Sequence, residues 1–106
     1  MKLDSTYGVV LVTVASFEQG KAIAHALVRE KLAACVNIHP ITSVYIWQDR
    51  VNQESEQQLT IKTNLNKFSQ LVEKIQELHD YEVPEIIALP IVAGSQSYLS
   101  WLGKNV

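Results

Sequence analysis

This chain of 106 residues is short of several things, and each shortage excludes something. It holds one cysteine, Cys35, so neither an intrachain disulfide framework nor a Cys-x-x-Cys metal or redox pair can form. Its only arginines are Arg29 and Arg50, and neither lies in a Gly-rich anion-binding loop. Charged residues make up 19% of the chain, below the ~25% of an ordinary globular domain. The net charge is −2 and the sequence pI about 5.9, so no general attraction to nucleic acid is expected. No long hydrophobic run is present. The apolar stretch from Val9 to Ala15 is too short to span a bilayer and lacks the layout of a signal peptide. We therefore expect a soluble cytoplasmic protein with no membrane or nucleic-acid partner.

What is present suits a single small domain over residues 1–106. Hydrophobic residues are 47% of the chain, enough for a compact core. With so few charges, part of that apolar surface is expected to be hidden in an oligomer.

Strand and helix signals alternate without a linker or repeat. Tyr7 to Ala15 is rich in valine and reads as a buried strand. Ser16 offers an N-cap with Gln19 as capping-box partner, and Phe17 to Lys31 reads as a helix with Ala22, Ile23, Ala26 and Leu27 as its apolar stripe. Ala33 to Trp47 is a long extended stretch. Pro40, which cannot donate to a ladder, predicts a bulge or bend there. The polar run Gln48 to Ser55 contains the turn, and Glu56 to Asn64 returns as the next strand. Asn64 or Asn66 caps a helix carrying Phe68, Leu71, Val72, Ile75 and Leu78. Pro84 to Val92 forms a last strand, and Ser97 to Gly103 a short C-terminal helix. The order β-α-β-β-α-β plus a helix predicts an α+β fold of ferredoxin-like type, a four-stranded antiparallel sheet with two helices on one face and a long β2–β3 hairpin. The other face has no helix assigned and carries apolar side chains, so self-association is the natural way to cover it.

Six pieces in order carry a resemblance to a known family. They are Thr13, the run Leu32 to Asn37 (LAACVN), Ser43-x-Tyr45-x-Trp47, Glu56 followed by Lys62-Thr63, Tyr81-Glu82-x-Pro84-Glu85-Ile86, and Tyr98-Leu99-x-Trp101. Over Val9 to Leu102 the chain resembles the CutA divalent-cation tolerance proteins. The resemblance implies a ferredoxin-like homotrimer similar in architecture to the PII signalling proteins. It also implies a role in tolerance of copper and other divalent cations, acting by binding rather than as an enzyme. Three turn positions depart from the family pattern. Val14-Ala15 follows Thr13 where Pro is usual, Asp49 stands where Gly is usual, and His79-Asp80-Tyr81 replaces His-Pro-Tyr. Of the Cys and His positions tied to copper in some members, two are Val12 and Leu78 here, and His79 remains.

The residues open two site readings. His79, with Glu82 and Glu85, offers an N/O donor set of the kind that suits Cu(II) or another divalent cation. The plain alternative for His79 is a helix-end residue favoured by the helix dipole. The motif matches also imply a cleft between subunits built by Trp47, Glu56, Lys62, Tyr81 and Glu85. The plain alternative there is a Glu56–Lys62 pair between strands. Cys35 is weighed as a soft copper ligand or, more in keeping with an Ala-rich strand, a small buried hydrophobe. His25 and His39 read as structural or solvent-facing, and Trp47 and Trp101 as packing residues.

Four other functions fit the topology. A PII-like trimeric regulator would bind a small ligand at subunit clefts, and a stable trimer could serve as a scaffold. An acylphosphatase-type enzyme would need an arginine cradle, and an RNA-binding sheet would need a basic setting. No nucleophile–base pair or metal-hydrolase spacing is visible, so no catalytic residue and no certain cofactor is expected.

Overall fold

The computed structural model describes residues 6–106; the first five residues of the expected domain lie outside them. The elements are β1 (Tyr7–Val14), α1 (Phe17–Arg29), β2 (Cys35–Trp47), β3 (Arg50–Asn64), a 3-10 turn (Leu65–Lys67), α2 (Phe68–Leu78), β4 (Ile86–Pro90) and α3 (Gln96–Lys104). The strands form one antiparallel sheet in the order β2-β3-β1-β4. This is the element order expected from the sequence, and the last strand is shorter at both ends.

Alternation divides the sheet into two faces. Val10, Val12 and Val14 of β1 point the same way as Leu59 and Ile61 of β3, and all five are fully buried. Ile23 and Leu27 of α1 and Leu71 and Ile75 of α2 close over them. Burying one such side chain stabilises the fold by ~1.5–3 kcal/mol. The inward stripe of α1 is Gly20, Ile23, Ala24 and Leu27. Ala22, expected on that stripe, is exposed, and Ala26 is half-buried. The helix is rotated so that Gly20 faces Leu59, Val14 and Ile38, where a larger residue would crowd the sheet.

The Ser16 hydroxyl caps α1 by accepting the Gln19 N–H at 3.1 Å, but the Gln19 side chain does not bond back to complete the capping box. Asn64 caps the 3-10 turn and not α2: its side chain accepts the Asn66 N–H at 2.8 Å, while α2 follows Lys67 with no side-chain cap. The C-terminus of α1 is a Schellman motif. Leu32 N–H donates to the Leu27 carbonyl and Lys31 N–H to that of Val28, with Lys31 in the left-handed region at φ 59°.

The hairpin corrects two expectations. Pro40 makes no bulge, because His39, Pro40 and Ile41 pair in unbroken register with Gln58, Gln57 and Glu56. β2 is an edge strand, so a residue whose N–H would face outward can be proline without losing a ladder bond. The turn is also much shorter than Gln48 to Ser55. It consists of Gln48 and Asp49, both at positive φ, and β3 starts at Arg50. Since β1 ends where Val14 meets Gln57, residues Ile41 to Glu56 continue beyond it as a two-stranded arm. On the helix side of the sheet the arm leaves Val44, Ile46 and Val51 63–73% exposed.

The opposite face is partly covered. α3 packs against β3 there, with Gly103 lying against the Tyr7 side chain and Leu102 fully buried. Ile87 and Leu89 of β4 stay half exposed on that face. No helix of the described residues is long and apolar enough to cross a membrane.

Candidate functional site

The β2–β3 register decides which arm residues can meet. Tyr45 lies opposite Asn52, Ser43 opposite Glu54, and Ile41 opposite Glu56. These residues share the face of the sheet turned away from α1 and α2. Near Glu56 the sheet narrows, because β1 ends at Val14 and β4 pairs no further than Val12. The segment from His79 to Glu85 crosses this end and walls in a concave space.

His79 anchors that segment. Its ring is 9% exposed, with Nε2 2.7 Å from the Thr13 carbonyl oxygen, while Nδ1 accepts the Tyr81 N–H at 3.0 Å. β4 stops pairing one residue short of Thr13, so this carbonyl is available to a side chain. The His79 and Tyr81 rings lie 4.8 Å apart, tilted by 49°. Tyr81 then donates its hydroxyl to Glu56 Oε2 at 2.5 Å. Burial first, and then the bond to the Glu56 carboxylate, raise the Tyr81 phenol above its usual range. The hydroxyl serves as a hydrogen-bond donor to the Glu56 carboxylate.

The space so enclosed has a volume of about 490 Å³. It is lined by Thr13 of β1, Asn52, Glu54 and Glu56 of β3, the rings of Tyr45, Trp47 and Tyr81, and Asp80, Glu82, Val83 and Glu85 of the segment before β4. Five of these residues are carboxylates, and none is Lys, Arg or His. Desolvation, a hydrogen bond to Glu54 and the charges of Glu54 and Glu56 raise Tyr45 as well. A cleft of this charge attracts cations and repels anions, which disfavours an anionic ligand.

Of the residues picked from sequence, Trp47, Glu56, Tyr81, Glu82 and Glu85 converge on this cleft. His79 does not line it. It is not an exposed helix cap either, since both ring nitrogens are engaged with backbone groups, and a metal bond there would break one of them. Lys62 also lies elsewhere. It shares a face with Glu56 but stands six residues along the same strand, roughly 20 Å away at ~3.4 Å per residue, and bonds the Asn37 side chain. The Glu56–Lys62 pair therefore does not form. Among the described residues no three His, Cys, Asp or Glu side chains gather closely enough to hold a metal ion. Cys35 is half-buried beside Lys62 and Asn37, far along the sheet from the cleft. Sequence reasoning missed Tyr45, Asn52, Glu54 and Asp80. The i, i+2 alternation with Trp47 and Glu56 was the available signal for Tyr45 and Glu54.

The sequence matches the family profile described as CutA1 divalent ion tolerance protein over residues 8–105. It is 52% identical over 98 residues to the divalent-cation tolerance protein CutA of Thermus thermophilus, covering 92% of this chain and 95% of that one. It is 53% identical to the chloroplastic protein CutA of Arabidopsis thaliana, again over 92% of this chain but 53% of that longer protein. Among solved structures, the Thermus thermophilus protein superposes with a TM-score of 0.90 at 51% identity, covering 93% and 97% of the two chains. CutA from Synechococcus elongatus superposes with a TM-score of 0.92 at 35% identity, covering 98% and 93%.

Proposed function

The chain belongs to the CutA1 divalent ion tolerance family, and from that premise we propose that it acts in divalent-cation tolerance by weakly holding cations at the acidic cleft. It acts by binding, not by catalysis. The carrying observation is the lining itself, five carboxylates with no basic side chain. Because those carboxylates do not gather into a closed donor set, a Cu(II) or similar ion would use one or two of them, Glu82 and Glu85 foremost, and keep most of its water. Such binding is exchangeable, as befits buffering.

The expected homotrimer remains part of this reading. Val44, Ile46 and Val51 line the arm on the side away from the cleft, and a bare two-stranded arm of this length is only marginally stable in water. A neighbouring copy seated on that stripe supplies the missing packing, in a cytoplasmic assembly.

The test is a calorimetric titration of metal-free protein with Cu(II) and Zn(II). Weak saturable binding should fall in Glu82→Gln/Glu85→Gln and persist in His79→Gln. Binding indifferent to the carboxylates would sink the proposal. A monomer in sedimentation at micromolar concentration would remove the trimer.

A further inference from the structure

The cleft has features that a hydrated metal ion does not use. A divalent cation with its water shell needs carboxylate oxygens and little else. This space also has three aromatic walls, Tyr45, Trp47 and Tyr81, and about 490 Å³ of room, within the range of small-molecule sites. Aromatic faces attract weakly hydrated organic cations.

Glu56 gives the second, independent observation. It is 6% exposed and lines the cleft. Its one hydrogen bond among the described residues is from the neutral Tyr81 hydroxyl to Oε2, and no Lys, Arg or His pairs with it. Its second oxygen, Oε1, takes no hydrogen bond from the described residues and keeps contact with the solvent of the cleft, where a cation can reach it. A quaternary ammonium could sit against the rings but has no N–H to give that oxygen. A primary ammonium has three.

The remaining carboxylates come from two parts of the fold that wall the cleft. Glu54 lies two residues from Glu56 on the same face of β3, while Glu82 and Glu85 belong to the segment between α2 and β4. One charge cannot answer both walls, but two or more on a flexible alkyl chain can. We propose that the cleft is a receptor for linear alkyl di- and polyamines. One ammonium is bound by Glu56 and Glu54, the methylene chain lies along Trp47 and Tyr45, and a second ammonium meets Glu82 or Glu85. This rests on reading the cleft as a cation site and names the class of cation it takes.

The test is titration of the full chain with spermidine, putrescine, n-butylamine and tetramethylammonium. Binding is followed by calorimetry and by the fluorescence of Trp47 in a Trp101→Phe background. The expected order is spermidine, putrescine, n-butylamine, then tetramethylammonium. Glu56→Gln, which keeps the shape and the Tyr81 bond, should weaken spermidine about tenfold. Trp47→Ala should weaken it by a similar factor, and exposed Glu85→Gln should act on spermidine and putrescine but not on n-butylamine. Spermidine binding without Cu(II) or Zn(II) binding sustains the receptor and removes the metal reading of the cleft. Divalent binding with no response to spermidine does the reverse and overturns the inference, as does amine binding untouched by Glu56→Gln and Trp47→Ala.

Discussion

The imidazole of His79 reaches the carbonyl oxygen of Thr13, 66 residues earlier, at 2.7 Å. With Nδ1 accepting the Tyr81 N–H, the ring proton must sit on Nε2 and be donated to Thr13. One buried ring thus ties the end of β1 to the segment that walls the cleft. His79→Ala leaves a carbonyl and an N–H unpaired, each costing ~1–3 kcal/mol. Urea unfolding at equal protein concentration should show a loss of about 2–6 kcal/mol. Long-range 15N spectra should show the Nε2–H tautomer at neutral pH. The opposite tautomer would refute the assignment.

The Tyr81–Glu56 bond has a signed pH dependence. The phenol's folded pKa lies above its unfolded value of about 10. Its contribution is therefore fully present below pH ~10 and is lost as pH rises through the folded value. Tyr81→Phe should lower stability by about 1–2 kcal/mol at pH 7, since the group is partly exposed. That gap should stay flat to about pH 10 and shrink above it. A gap that widened at alkaline pH would contradict the bond.

Lys31 occupies the left-handed position of the Schellman motif that ends α1, where glycine is free of the Cβ penalty. Lys31→Gly should therefore stabilise the protein by about 0.5–1 kcal/mol. The midpoint in urea should move up with an unchanged slope. A loss would mean that the Lys31 side chain contributes more than its backbone strain costs.

The body of the fold was legible because its signals are local. The valine-rich run of β1, the Ser16 cap and the spacing of Leu71 and Ile75 each act within a few residues. The arm was not. Within the polar run Gln48 to Ser55, read as the turn segment, Arg50 to Ser55 is strand; both faces of an arm beyond the body are wet, which erases the period-2 contrast. Trp47, Glu56, Tyr81 and Glu85 were picked through motif resemblance, and they line one cleft within the chain. Lys62 and His79 were misplaced for long-range reasons. Strand distance separates the first from Glu56, and a backbone carbonyl invisible in the sequence claims the second.

The arm's turn yields predictions of opposite sign. Gln48 and Asp49 have φ of 52° and 60°, the two positive values a type I′ turn requires. Asn-Gly is the pair that adopts them most readily, and Gln48-Asp49 is a poor substitute. Asn52 offsets part of that deficit. Its side-chain amide donates to the Trp47 carbonyl at 3.3 Å and to the Arg50 carbonyl at 3.1 Å, spanning the turn from one side. The combined change Gln48→Asn and Asp49→Gly should slow hydrogen exchange of the Ser43 and Tyr45 amides, which bond across the hairpin, by about tenfold, a gain of ~1–2 kcal/mol in local opening. Asn52→Ala should speed the same amides. Amides of β1 should respond to neither, because the arm can open while the core stays closed. Equal responses in β1 and the arm would show that the hairpin and body open as one unit.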